Sequence, residues 1–364
     1  MNRPAGSPSN YIPQLDGIRG LAIILVVSFH YFGTFPLLSF GWSGVDLFFV
    51  LSGYLITSRL IAMEERENHL LQFYKNRALR IMPIYYATFI AFFIGYHLLV
   101  SKPNLPGFSF YDKNWASFIF FFQNWTFIEW GDLKENHLQH FWSLAIEEQF
   151  YLVWPFVLYK FRKKEYFFKV LIVLILFIII SRVCLFIKYS DYMDYPHFYY
   201  NTFCRMDAFL LGGILFLYQQ KKRAKQLVNY YYGGTIILIA GIIYTGYANI
   251  SNPFISTIGY TLIALMYAGL IYSVTSYSGK FVLKIFNYSW LRFIGKISYG
   301  LYIFHWIVLR FVEPKLSVWT SEYMGIAREY AHWWSLVGCL LISLALSIIS
   351  FFYFESFFLK MKSK

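Results

Sequence analysis

The stretch "LDGIRGLAIILVVSFHYF" (residues 15–32) is apolar over nearly the length that crosses a bilayer, yet it opens with Asp16 and Arg19 and carries His30 deep in the run. About 20 such residues make a membrane-spanning helix. Similar runs recur along all 364 residues. Hydrophobic residues make up 58 % of the chain and charged residues 14 %. A soluble domain carries about 25 % charged residues. The expected fold is therefore an all-α polytopic membrane protein. The runs are helix-length, which speaks against a porin.

Ten spans are predicted, at 18–37, 41–62, 81–101, 142–160, 167–188, 201–219, 229–248, 255–276, 297–313 and 333–356. The segment 115–130, "WASFIFFFQNWTFIEW", is expected to be re-entrant or interfacial. If it spanned, the cluster "KFRKK" at 160–164 would face outward. With it excluded, the ends and loops near 3–19, 59–80, 160–169, 221–225, 280–296 and 360–364 fall on one side and hold 23 of the 32 Lys and Arg residues. The positive-inside rule then places both termini in the cytoplasm. It also accounts for the net charge of +13, so no nucleic acid is expected as partner. Residues 1–364 are expected to form one membrane domain, with core motifs in 15–313 and no extracytoplasmic soluble domain. Cys184, Cys204 and Cys339 are scattered and suggest no disulfide framework.

Ionisable groups inside a bilayer are costly and mark functional sites by default. Arg19 and His30 are eleven residues apart, about three turns, and share a face with Asp16. In "GWSGVDLFFVLSGYLIT" (41–57), Asp46 and Gly53 share a face. Gly41 and Gly44 suit close helix packing. Asp46 is placed to orient an imidazole of the first helix if the two helices are neighbours. In "FYKNRALRIMPIYY" (73–86), Arg77 and Arg80 point the same way and Lys75 adds a third cation. Topology alone explains some basic residues there, but the arginine fork also suits phosphate.

In "HFWSLAIEEQFYLVWP" (140–155), His140, Ser143, Glu147 and Tyr151 fall on one helical face, and Glu148 points a quarter turn away. Pro155 is expected to kink or end the helix. His137 and His140, three apart with no further clear ligand, make a weak metal motif, and no metal site is expected. Arg205 and Asp207 face nearly opposite ways, so each needs a partner elsewhere. Ser298, Tyr302 and His305 align on one stripe, either as a structural seam or in contact with a ligand.

These segments, from "LDGIRG…H" through "GVDLFFVLSGYLIT", "FYKNRALRIMP" and "WSLAIEEQFYLVWP" to "ISYGLYIFH", resemble the successive signatures of the acyltransferase 3 family over residues 15–305. The resemblance implies transfer of an acyl group, commonly acetyl, from cytoplasmic acyl-CoA to a sugar hydroxyl of an envelope or exported glycan or lipid-linked sugar. Typical acceptors are O-antigen, exopolysaccharide and peptidoglycan. It also implies a bacterial inner membrane and contact with membrane lipid. His30 matches the family's first-helix histidine, Arg19 the arginine upstream of it, Arg77 and Arg80 its paired arginines, and Glu147 its first glutamate. Some members carry a C-terminal hydrolase-like domain. This sequence stops at Lys364, so a two-domain relay to peptidoglycan is not the expectation.

The expected mechanism places acyl-CoA phosphates on Arg77, Arg80 and Lys75, with Arg19 also on the donor. His30 acts as general base or transient acyl carrier. Asp46 or Glu147 orients it, and Arg205 stabilises the oxyanion. His140, Ser143, Glu148, Tyr151, Asp207, Tyr302 and His305 support substrate or transition state, and the loop 102–141 offers a sugar platform. No permanently bound cofactor is expected. A secondary transporter or flippase would also bury such charges, but it predicts repeats, and none is found.

Overall fold

The computed structural model describes residues 11–99, 106–130, 137–189, 196–276 and 280–362. The expectations about Arg3 and about parts of the loops 102–141 and 189–200 lie outside them.

Pro13 starts α1 (Pro13–Phe32), at a position where its missing N–H costs nothing. The helix begins five residues before the predicted span, so Asp16 and Arg19 lie within its first turns. A 3-10 turn (Ser39–Ser43) leads into α2 (Gly44–Met63). α3 (His69–Leu99) runs 31 residues through Pro83. At 1.5 Å per residue it is about 46 Å long and exceeds the ~30 Å apolar slab. Lys75, Arg77 and Arg80 therefore sit inside a helix rather than in a preceding loop.

The segment near 115–130 forms two short helices, α4 (Pro106–Ile119) and α5 (Gln123–Trp130), with a break at Phe121, whose φ is 57°. Neither is long enough to span. The break is pinned by Gln149 Nε2 donating to the Phe121 carbonyl (2.7 Å) and by Asn124 Nδ2 donating to the Tyr200 carbonyl (2.9 Å).

Next come α6 (Trp142–Phe161), α7 (Phe167–Tyr189), α8 (Pro196–Tyr199) and α9 (Thr202–Gln220). α6 continues through Pro155 instead of ending there. The one carbonyl that proline frees is a small loss within a packed helix. Then follow α10 (Val228–Thr245), α11 (Tyr260–Thr275) entered through a π-turn (Ile255–Gly259), α12 (Lys280–Phe286), α13 (Ser289–Lys296) and α14 (Ser298–Phe311). α15 (Glu313–Met324), α16 (Arg328–Ile349), a second π-turn (Ser350–Glu355) and α17 (Ser356–Lys360) complete the chain. Among the described residues there is no strand.

The protein is an all-α polytopic membrane protein. Among the described residues seven helices are long and apolar enough to cross a membrane by length and composition: α1, α2, α3, α7, α10, α11 and α16 with their flanking turns. The other three predicted spans are also helical, as α6, α9 and α14, but they are shorter or more polar. α1, α2 and α11 are more than half buried, whereas only about a fifth of α7 and of α10 is buried. The first group, with α9 and α14, builds the interior. The second carries apolar side chains outward, where lipid is the solvent.

Glycine faces let the central helices touch. A Cβ on Gly53 would collide with the Phe209 carbonyl, and one on Gly212 with the Val50 carbonyl, so α2 and α9 meet backbone to backbone. α1 meets α13 the same way, through Gly20 against Leu291 and Gly295 against the Asp16 carbonyl.

Candidate active site

Arg19 from α1 and Arg77 and Arg80 from α3 line one cavity of about 750 Å³, together with Ser52, Glu147 and Tyr151. The i, i+3 spacing puts the two α3 guanidinium groups on the same side. Arg19 Nη1 donates to Asp16 Oδ1 at 3.0 Å. Arg77 lies over the Tyr151 ring, 5.4 Å from its centroid. Glu147 Oε1 accepts hydrogen bonds from Ser52 and Tyr151. A second cavity, about 460 Å³, shares Arg19, Arg80 and Tyr299 and adds Lys296 and Glu355. Near the same arginines, burial and then the Arg80, Arg77, Arg19 and Arg59 charges push the Lys362 ammonium down to about 7. Local positive potential is therefore high, which favours a polyanion. Lys75 is exposed and lines neither cavity. It sits two residues before Arg77, about 200° around the helix, so the third cation is Arg19 rather than Lys75.

His30 lies toward the other end of α1, about 16 Å from Arg19 by helical rise. Its Nδ1 is 2.9 Å from His305 Nε2, with the rings stacked at 5.0 Å. His305 Nδ1 sits 3.0 Å from the Leu301 carbonyl and 2.8 Å from the Tyr302 carbonyl. Carbonyls only accept, so the His305 proton is on Nδ1 and its Nε2 offers a lone pair. His30 Nδ1–H must then donate to it, which leaves the lone pair of His30 on Nε2. Tyr31 OH donates to the His305 carbonyl (2.9 Å) and lies 3.0 Å from Ser343 Oγ, which fixes α1, α14 and α16 together at this point. His30 is half-buried and lines a third cavity, about 1020 Å³, with Trp306 packed edge-on at 4.7 Å.

A hydrogen-bonded wall separates the arginine cavity from the histidines. Tyr302 OH donates to the His140 carbonyl (2.7 Å), and Ser143 Oγ lies 2.5 Å from the same phenol oxygen. His140 Nε2 donates to the Ile303 carbonyl (3.1 Å), and its ring lies 5.6 Å from His305. Ser143 and Tyr302 line the arginine cavity, while His140 and His305 stand behind them. Glu148 Oε1 is buried with no hydrogen-bond partner among the described residues, and the residue lines none of these cavities.

Two carboxylates do not take the place expected of them. Asp46 bonds Arg205 at 2.8 Å, both fully buried. The face that Asp46 shares with Gly53 packs on α9, not on α1, so the carboxylate is turned away from His30. Glu147 faces the arginine cavity. The partner of His30 is the neutral imidazole of His305. Arg205 is enclosed by the Tyr260 and Tyr199 rings, 4.1 and 4.9 Å away, and is not placed at an oxyanion near His30. Asp207 pairs with Arg182 at 2.9 Å and accepts from Thr261 at 2.5 Å. As the sequence requires, Arg205 and Asp207 each find a partner on another helix. These two pairs tie α2, α7 and α9 together, and Thr261 joins α11 to them.

The His30 cavity is lined from α1 and the turn after it, α14, α15 and α16, and among the described residues the loop 102–141 contributes nothing to it. That loop is held instead against α6 and the start of α9, where Thr202 Oγ1 also accepts from Asn124. Ser52, Trp306, Lys296, Glu313 and His332 line the cavities without having stood out in the sequence. Two had a local signal: Ser52, one residue before Gly53 in the small-residue stretch already singled out, and Trp306, next to His305. The others are brought in by helices distant in sequence. Among the described residues no group of three or more His, Cys, Asp or Glu could hold a metal ion.

Fold and site together define a helical membrane protein with an imidazole pair set between an arginine-lined cavity and the cavity that His30 shares with Trp306, Glu313 and His332. A profile of the acyltransferase-domain family, acyltransferase 3, matches residues 12–352, and the chain belongs to that family. It is 32 % identical over 341 residues to the peptidoglycan O-acetyltransferase OatA of Listeria monocytogenes, an alignment covering 87 % of this chain and 52 % of that protein. It is 31 % identical over 330 residues to the O-acetyltransferase OatA of Staphylococcus aureus, covering 83 % and 51 %. The chain thus spans about half the length of the curated relatives it matches. No solved structure matches it.

Proposed function

We propose that this protein is a membrane O-acyltransferase that moves an acyl group, acetyl by preference, from acyl-CoA to a hydroxyl of a cell-envelope glycan. The observation that carries this reading is the pairing of Arg19, Arg77 and Arg80 on one cavity with a His30 whose Nε2 lone pair is kept free by His305.

Guanidinium groups suit the phosphates of CoA. In this proposal the thioester reaches His30 once the Ser143–Tyr302–His140 contacts that close the arginine cavity open. Nε2 takes the proton of the acceptor hydroxyl as its oxygen attacks the thioester carbon. The C–S bond then breaks and the thiolate takes the proton that Nε2 gained. The imidazolium formed in between is stabilised through Nδ1–H by His305. The acyl-imidazole route uses the same lone pair: Nε2 attacks the thioester carbon and expels the CoA thiolate, then the hydroxyl oxygen attacks the acyl carbon, the C–N bond breaks and the hydroxyl proton ends on the thiolate. Rapid quenching before acceptor is added separates the two routes.

The arginine end faces the cytoplasm in this proposal, with both termini there and the protein in the bacterial plasma membrane. In support, the basic segments 59–80 and 160–164 meet at one end, where Arg162 pairs with Glu64. The name of one relative gives peptidoglycan, an envelope glycan, as what it acts on, which favours such an acceptor. O-antigen and exopolysaccharide are acceptors of the same chemistry.

The test is purified protein with labelled acetyl-CoA and a panel of envelope glycans. The wild type should label a glycan. His30→Ala should lose 10²-fold or more of the rate, and Arg77→Ala with Arg80→Ala should chiefly raise the KM for acetyl-CoA. Gradient-driven glycan flux in vesicles without label transfer would instead establish a transporter.

A further inference from the structure

The cavity that holds His30 has a second polar wall. α14 ends at Phe311, and α15 starts at once with Glu313. Its carboxylate turns toward α16, where His332 Nδ1 and Ser335 Oγ both donate to Oε1 at 2.8 Å. Oε2 carries no hydrogen bond among the described residues. The Glu313 side chain keeps 16 % of its surface and His332 keeps 52 %. Glu313 and His332 therefore line the same space as His30 and Trp306, the carboxylate near its floor and the imidazole at its rim.

We propose that Glu313, held by His332 and Ser335, is the acceptor-positioning residue of this cavity and that the ligand it takes is a polyhydroxylated ring, a sugar. This rests on the acyltransferase reading of the site. A carboxylate with one oxygen fixed and the other open accepts hydrogen bonds from ring hydroxyls. With its Nδ1 proton given to Glu313, His332 keeps Nε2 for a further hydrogen bond to a ring hydroxyl. Trp306, Phe29 and Leu336 supply the apolar surface on which the C–H face of a sugar packs. One hydroxyl of the ring then lies toward His30 Nε2 while its neighbours are held by Glu313. Glu147 in the arginine cavity also accepts on one oxygen, from Ser52 and Tyr151, but that cavity is shared with three arginines.

Glu313→Gln is the decisive variant. The glutamine oxygen still accepts from Ser335 and His332, so the tie between α15 and α16 survives while the open carboxylate oxygen is lost. With the glycan that the wild type labels, the KM for acceptor should rise about tenfold. The KM for acetyl-CoA, the acceptor-independent hydrolysis of acetyl-CoA and the melting temperature should stay as in wild type. An acceptor KM unchanged in Glu313→Gln overturns the proposal. So does a fall in melting temperature with both KM values moving together, which would make Glu313 a structural tie only. A wild type that labels no glycan removes the acyltransferase reading itself, and this one with it.

Discussion

At the scale of single residues, the chemistry turns on one proton. His305 accepts from His30 because its own proton is committed to the Leu301 and Tyr302 carbonyls. In a triad a carboxylate holds this place; here a neutral ring does, which orients His30 without fixing a negative charge beside it. Replacing His305 by leucine removes the acceptor and frees the tautomer of His30. The turnover number of His305→Leu should fall about 10²-fold, with the KM for acetyl-CoA unchanged, since the arginine cavity is built from other side chains. A variant with wild-type turnover would mean that His30 is oriented by something else. Of the residues read from the sequence, His30, Arg19, Arg77, Arg80 and Glu147 do lie on cavities. Helical spacing put Arg77 beside Arg80, and Ser143 beside Glu147 and Tyr151, and each set lines one cavity. It could not say which neighbour each face would meet, and for that reason Asp46 was assigned to His30 when its face belongs to α9.

At the scale of elements, the interior is organised by glycine contacts and buried ion pairs. A methyl group on Gly212 meets the Val50 carbonyl, which belongs to a helix backbone and cannot turn aside. Gly212→Ala should therefore destabilise the protein by about 1–3 kcal/mol. Gly233→Ala, where a Cβ meets nothing within 4 Å, should leave the melting temperature unchanged or slightly raised. Equal melting temperatures for the two variants would contradict the close contact of α2 with α9. Helix positions were legible because apolar runs have the length of a bilayer. The extension of α3 back to His69 was not, since its first turns are polar and project beyond the apolar slab. The passage of α6 through Pro155 was not legible either, because neighbouring helices tolerate what an isolated helix would not.

At the scale of the whole molecule, the basic segments gather at one end and the His30 cavity opens toward the other. A topology with the basic end in the cytoplasm can be checked with single cysteines placed in a chain whose three native cysteines have been replaced. A membrane-impermeant maleimide should label Tyr323→Cys on intact cells, and Lys163→Cys only after permeabilisation. Both native positions are exposed. The reverse pattern would invert the roles assigned to the two cavities.

The sequence alone determined that this chain is a bundle of membrane helices, where those helices run, and which faces carry charge. These are local properties, set by the length of apolar runs and by 3.6-residue periodicity. The tertiary structure decided which charges answer one another. His305 rather than Asp46 holds His30, Arg205 is sealed among tyrosines, and Glu313 comes to share a cavity with a histidine 283 positions earlier in the chain. Those pairings depend on which helices pack side by side. That is settled by glycine faces and buried hydrogen bonds between segments far apart in sequence, and no local pattern records it.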